Sequence, residues 1–216
     1  MGFADLFFDR RCKICNERIS KGAICPDCDK KLAGILQIRR YYINLDGKEL
    51  EVLYLFDYEH PIVKKLLFAL KRNADRELFM YAAELYGRML CDINDAGVVF
   101  APRRGVNKRN YGYDHMQKIS KLLCKASVGR LKYAPLIKRK HFTKEQKNLD
   151  FEKRKKNVEH AFKITKNDIP KNIVLVDDVI TTGNTVLSCS RVILNRRSDA
   201  EIKLAFLASA GSFTKV

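Results

Sequence analysis

Residues 172 to 194, NIVLVDDVITTGNTVLSCSRVIL, constrain the fold more tightly than any other stretch of the chain. The unbroken apolar run from Ile173 to Val176 suits a strand covered on both faces, because a half-exposed strand alternates apolar with polar. A loop of threonines, glycine and asparagine follows, and then an amphipathic helix. Strand, short loop and helix in that order belong to a parallel sheet with helices packed on it.

The rest of the chain keeps the same alternation. Behind Pro61, the residues Ile62, Val63, Leu66, Leu67 and Leu70 fall at helical spacing, and a second helix is expected over 76–91. AGVVFAP reads as a buried strand from Gly97 that stops at Pro102, and a later helix carries Ile119, Leu122 and Leu123. YAPLI and AFKI have strand character, and IKLAFLAS is expected to close the sheet. Two β-rich runs meet at Asp46-Gly47, a hairpin turn signal. The expected class is α/β, a parallel sheet core flanked by helices, with a β-hairpin and a small N-terminal module.

That module is marked by cysteines. CKIC places Cys12 and Cys15, and CPDC places Cys25 and Cys28. Two such knuckles let four thiolates converge on one tetrahedral ion, which points to structural zinc, with iron as the substitute in recombinant material. A full thiolate shell leaves no position for a water nucleophile. Two disulfides are the competing reading, which a reducing compartment disfavours. So short a module buries little apolar surface, and the metal would supply its folding free energy. We divide the chain at 1–40, the four-cysteine module, and 41–216, the α/β domain with the hairpin. Cys91, Cys124 and Cys189 read as plain core residues of helices.

In an open α/β sheet, ligands sit beyond the carboxyl ends of the strands. Asp177 and Asp178 stand at such an end, directly before a helix. Free N–H groups at the helix start make an anion site, to which Thr181, Thr182 and Thr185 add hydroxyl donors, while Gly183 permits close backbone approach. Two carboxylates beside a phosphate would repel it unless they bind something else. A ribose 5-phosphate fits, its two hydroxyls donating to the carboxylates while its phosphate lies on the loop. The plain alternative is an ordinary βα turn capped by Asp and Thr. Asp-Asp with three threonines exceeds what a cap needs.

Charge adds a second constraint. The formal net charge is +17, and residues 101–160 hold 18 Lys or Arg against 5 Asp or Glu. One block thus carries most of the excess, which suits an anionic partner better than a merely solvated face. No apolar run approaches the length of a membrane span. MGFADLFFDRR lacks a cationic segment followed by an apolar one, so the expected location is the cytoplasm.

VLVDDVITTGNT resembles the phosphoribosyl diphosphate (PRPP) motif of type I phosphoribosyltransferases. Joined to the double C-x-x-C, it is similar to the ComF family of competence-associated, phosphoribosyltransferase-like proteins. IVKKLLFALKRNADREL, APRRGVNKRNYGYDHM and TKEQKNLDFEKRKKNVEHAF match further stretches of that family in order. Two departures stand out: Tyr111-Gly112-Tyr113-Asp114-His115 where the family usually has Arg-Gly-Phe-Asn-Gln, and Ala74 where glycine is usual.

The resemblance implies a type I phosphoribosyltransferase-like fold that binds PRPP with Mg²⁺ through Asp177, Asp178, Val179, Thr181, Thr182, Gly183, Asn184 and Thr185, with Asp177 and Asp178 at the reaction centre. It implies a pyrophosphate loop with Arg103 and Arg104, and a mobile loop with Thr143, Gln146 and Lys147. It further implies a role in natural transformation, with imported single-stranded DNA as partner and competence proteins at the inner membrane as possible neighbours. Tyr111, Tyr113, His141 and Phe142 offer stacking surfaces for bases among the lysines. The alternative is an active enzyme that moves phosphoribosyl onto a purine, pyrimidine or amine, the acceptor chosen by a hood made of the cysteine module and hairpin. A third is an adaptor with a vestigial pocket. None of the four histidines shows metal-ligand spacing, and surface or core roles are expected for His115 and His141.

Overall fold

The computed structural model describes residues 10–102, 112–140 and 161–211. The main sheet has six strands in the order β1-β2-β8-β7-β3-β4. They are β1 (Arg39–Leu45), β2 (Lys48–Asp57), β3 (Ala96–Phe100), β4 (Leu131–Tyr133), β7 (Asn172–Ile180) and β8 (Glu201–Ser209). Every neighbouring pair is parallel except β1 with β2. The expected parallel core flanked by helices is present.

Helices cover both faces. On one lie α1 (Pro26–Ile35), α2 (Pro61–Arg72), α3 (Arg76–Met89) and α4 (His115–Ala126), whose apolar residues join Val98, Val174, Val176 and Leu207 of the strands. The other face meets α5 (Asn184–Leu194) and a two-stranded antiparallel sheet of β5 (Ile137–Arg139) and β6 (Phe162–Ile164). Local chemistry sets the helix starts. Pro61 occupies the first turn of α2, and Asp75 caps α3 by accepting from the Leu78 N–H at 3.1 Å. Asp114 caps α4 in the same way, accepting from Met116 and Gln117.

Several expectations are corrected. YAPLI is not one strand: β4 ends at Tyr133 and β5 begins at Ile137, because Pro135 has no N–H to continue a ladder. AFKI pairs with β5 outside the main sheet. IKLAFLAS does not lie at the rim; β8 is interior, between β2 and β7. The hairpin turns at Asp46 and Gly47, both with positive φ, and extends the main sheet through β2 instead of standing over it as a hood. α3 ends at Met89, so Cys91 falls beyond the helix and is exposed, whereas Cys189 is buried as expected and Cys124 is half-buried.

Gly97 on β3 shows how closely the second layer sits. A Cβ there would lie 2.7 Å from Cγ of Pro170, a rigid ring that cannot swing aside. Alanine in place of a strand glycine usually helps by restricting the unfolded chain. Here Gly97→Ala is expected to destabilise by about 1–3 kcal/mol through overpacking, measured by urea unfolding.

Candidate functional site

β7 runs past both aspartates, and the chain turns only after Ile180. Asp177 pairs with Phe206 and Val179 with Ala208, so the ladder stays regular through the acids. Gly183 then adopts φ +66 and serves as the N-cap of α5, a position from which it offers no side-chain hydrogen bond. A non-glycine residue would be strained in that conformation. Thr181, Thr182 and Asn184 are exposed, Thr185 is half-buried, and Asp177 and Val179 join them around a hollow of about 40 Å³. That is the room of a few water molecules, the scale of one phosphate group and not of a nucleotide.

The two acids part company here. Successive side chains of a strand point to opposite faces. Asp177 borders the hollow on the α5 side. Asp178 turns to the other face, where its Oδ2 lies 2.8 Å from Nε2 of His115 and 3.0 Å from Nζ of Lys71. Asp178 and His115 are both buried. Burial alone would raise the Asp178 carboxyl, but the His115 hydrogen bond and charge, with the Lys71 ammonium, outweigh it and hold it well below the usual carboxylate range. Asp178 is therefore ionised and accepts from Nε2–H. Asp177 has the opposite fate: burial, then the neighbouring Asp178 charge, push its carboxyl well above the ordinary value. The buried Tyr86 hydroxyl donates to the Asp177 carbonyl at 2.6 Å and pins the strand at this point.

The cysteine module is the second site. Cys12, Cys15, Cys25 and Cys28 bring their sulfurs within 4.8 Å of one another, with Cys15 Sγ and Cys25 Sγ 3.5 Å apart. Sulfurs around a tetrahedral zinc stand about 3.8 Å apart, given the usual Zn–S bond, so the cluster fits such an ion. Asn16 and Gly22, both with positive φ, make the turns that fold the knuckles back. Backbone N–H groups of Cys25 and Cys28 donate to Cys12 Sγ and Cys25 Sγ, the contacts a thiolate accepts. Leu32, Cys12, Cys25 and Cys28 belong to the same apolar cluster as α2 and α3. Lys13 pairs with Asp75, and the Tyr81 hydroxyl donates to Asp29, so the module is fastened to α3.

No family model matches the chain. It is 25% identical to Competence protein F of Haemophilus influenzae, over 94% of this chain and 99% of that protein. That likeness runs along nearly the whole of both chains and agrees with the resemblance to the ComF family. Solved structures similar to this ComF-like chain include a hypoxanthine phosphoribosyltransferase of Staphylococcus aureus, 15% identical, with 62% of this chain and 64% of that one covered and a TM-score of 0.36. The xanthine-guanine-hypoxanthine phosphoribosyltransferase of Helicobacter pylori is 15% identical, covering 72% of this chain and 88% of that one at a TM-score of 0.35. Adenine phosphoribosyltransferase of Saccharomyces cerevisiae is 16% identical, with 86% and 89% covered and a TM-score of 0.34. At such scores the fold rests on the strand order described above.

The structure brings Asp177, Val179 and residues 181–185 together around one hollow and sets Asp178 behind it. Arg103, Arg104, Thr143, Gln146 and Lys147 lie outside the described residues, as do Tyr111, His141 and Phe142. Tyr113 is buried instead of open for stacking: its ring packs on Phe79 and its hydroxyl donates to the Leu70 carbonyl. His115, expected to be a surface or core residue, is a core residue whose ring meets the Asp178 carboxylate. Lys71 lies in IVKKLLFALKRNADREL, one of the stretches that carry the family resemblance, but its spacing assigns it no place beside Asp178. Among the described residues, no helix is long and apolar enough to cross a membrane.

The purified protein is expected to carry one equivalent of metal. Replacing a buried ligand, Cys28→Ser, should release it and lower the unfolding free energy by about 4 kcal/mol or more, read by metal analysis and urea titration.

Proposed function

We propose that this chain binds PRPP with Mg²⁺ at the 181–185 loop and works in natural transformation, handling imported single-stranded DNA in the cytoplasm. The observation that carries the first part is the start of α5, with glycine at its N-cap, opening on a phosphate-sized hollow. The 5′-phosphate would rest on the helix N–H groups and the hydroxyls of Thr181, Thr182 and Thr185. Asp177 and Asp178 would receive the ribose hydroxyls, and Arg103 and Arg104 would neutralise the diphosphate that Mg²⁺ accompanies. Thr143, Gln146 and Lys147 would belong to a loop that covers the reaction centre. If the bound PRPP reacts, the chain's contribution is to hold the sugar and stabilise the departing diphosphate, a chiefly electrostatic task.

Zinc is the proposed occupant of the four cysteines, and 1–40 and 41–216 the proposed division into module and phosphoribosyltransferase-like domain. The DNA part rests on the likeness to Competence protein F and on a charge of +17, concentrated in residues 101–160. Lysines and arginines there would track phosphates, with a strong dependence on salt.

Calorimetry with PRPP and Mg²⁺ tests the first part. Wild type is expected to bind, and Gly183→Val, which cannot adopt φ +66 without strain, to lose at least about tenfold in affinity. Equal affinities would remove the loop from the site. For the second part, neutralising Lys153, Arg154, Lys155 and Lys156 should weaken binding of a single-stranded oligonucleotide and flatten its salt dependence by up to about three units of log–log slope. An unchanged slope would exclude these residues from the interface.

A further inference from the structure

Both protein contacts of the Asp178 carboxylate go to a single oxygen. Oδ2 receives Nε2–H of His115 from the start of α4 and the Lys71 ammonium from the end of α2. Oδ1 makes no hydrogen bond to the described residues, and Asp178 as a whole is 7% exposed. A carboxylate gripped at one oxygen by two elements cannot rotate, so its free oxygen points in one direction only. His115 itself is fixed, 1% exposed, with Met116 and Gln117 capped beside it by Asp114. Its Nδ1 is buried and has no partner among the described residues.

We propose that His115, with Lys71, is a positioning residue for ligand binding: it clamps Asp178 Oδ2 so that Oδ1 alone is offered to a ribose hydroxyl. This rests on the reading that Asp178 receives the sugar. Nε2–H can donate to Oδ2 whether the imidazole is neutral or ionised. Without that donor, one lone pair of a buried carboxylate faces apolar wall, and the acid form gains ground. The titratable and charged groups around this cluster are Asp177, one residue back on β7; Asp114, beside His115 at the start of α4; Tyr86, on α3; and Lys71, on α2. Lys71, partly open to water, compensates only in part.

The test uses the full chain, with Mg²⁺ and PRPP as the probe, titrated calorimetrically from pH 5 to pH 8. His115→Gln keeps an N–H donor near the Nε2 position, whereas His115→Ala removes it and His115→Leu fills the space without it. Affinity is expected to fall about 10- to 100-fold in the Ala and Leu variants and to stay within about threefold of wild type in Gln. The acid limb of binding should also move to higher pH in Ala and Leu, because the Asp178 carboxyl then rises toward its buried value. A residue that merely fills space would be rescued by Leu and would leave that limb in place. Such a result, with wild type binding normally, overturns the proposal.

A second measurement separates the two readings. The Asp178 carboxyl is followed by carbon NMR without ligand, in wild type and in all three variants. If wild type fails to bind the probe while Asp178 titrates higher in Ala and Leu than in Gln, the clamp stands and the sugar-phosphate reading falls. If Asp178 titrates alike in all four proteins, the clamp does not exist.

Discussion

Burial of β7 and β8 on both faces is the constraint from which the other features follow. Ile173, Val174, Leu175 and Val176 are at most 1% exposed, and Leu204, Ala205, Phe206 and Leu207 are fully buried. Each large side chain among them contributes about 1.5–3 kcal/mol by leaving water. A sheet this apolar on two sides needs cover on both, which α2, α3 and α4 supply on one face and α5 with β5 and β6 on the other. The same burial explains why Gly97 must lack a side chain beneath Pro170. It also explains why polar groups collect at the strand ends, where water and loops begin.

At that end of β7 a regular ladder places two adjacent carboxyls in different worlds. Asp177 faces the hollow at the start of α5, and Asp178 faces α2 and α4. Charge then separates them further, because the ion pair with Lys71 and the His115 hydrogen bond keep Asp178 ionised, while the resulting anion discourages ionisation of Asp177. One acid is thus a charge held by two partners, and the other a carboxyl that burial and its neighbour push upward. A buried carboxylate with one cation removed would be costly, so the three elements that meet at Asp178 are held to one arrangement.

The cysteine module is tied into this arrangement and does not hang free of it. Its sulfurs lie against the apolar cluster of α2 and α3, and Lys13 and Asp29 reach across to α3. α2 therefore has the module on one side and, at its last turn, Lys71 on Asp178. One helix of 12 residues thus touches both the module and the strand end.

Much of this was legible in the chain itself. The run Ile173–Val176, the helical spacing behind Pro61 and the double C-x-x-C determine a covered strand, an amphipathic helix and a convergent thiolate cluster, because each depends on local periodicity and side-chain chemistry. Gly183 was legible as a point of close backbone approach, whereas its φ of +66 is a property of the folded loop. Sequence spacing could not tell that YAPLI divides between two sheets, that β8 is interior, or that the hairpin joins the main sheet, because strand order follows from nonlocal pairing. Nor could it bring Lys71 and His115 to Asp178. Those residues stand 107 and 63 positions away, and only the packing of α2 and α4 on one face of the sheet makes them neighbours. Which oxygen of a carboxylate is held, and which is left for a ligand, is a property of that packing alone.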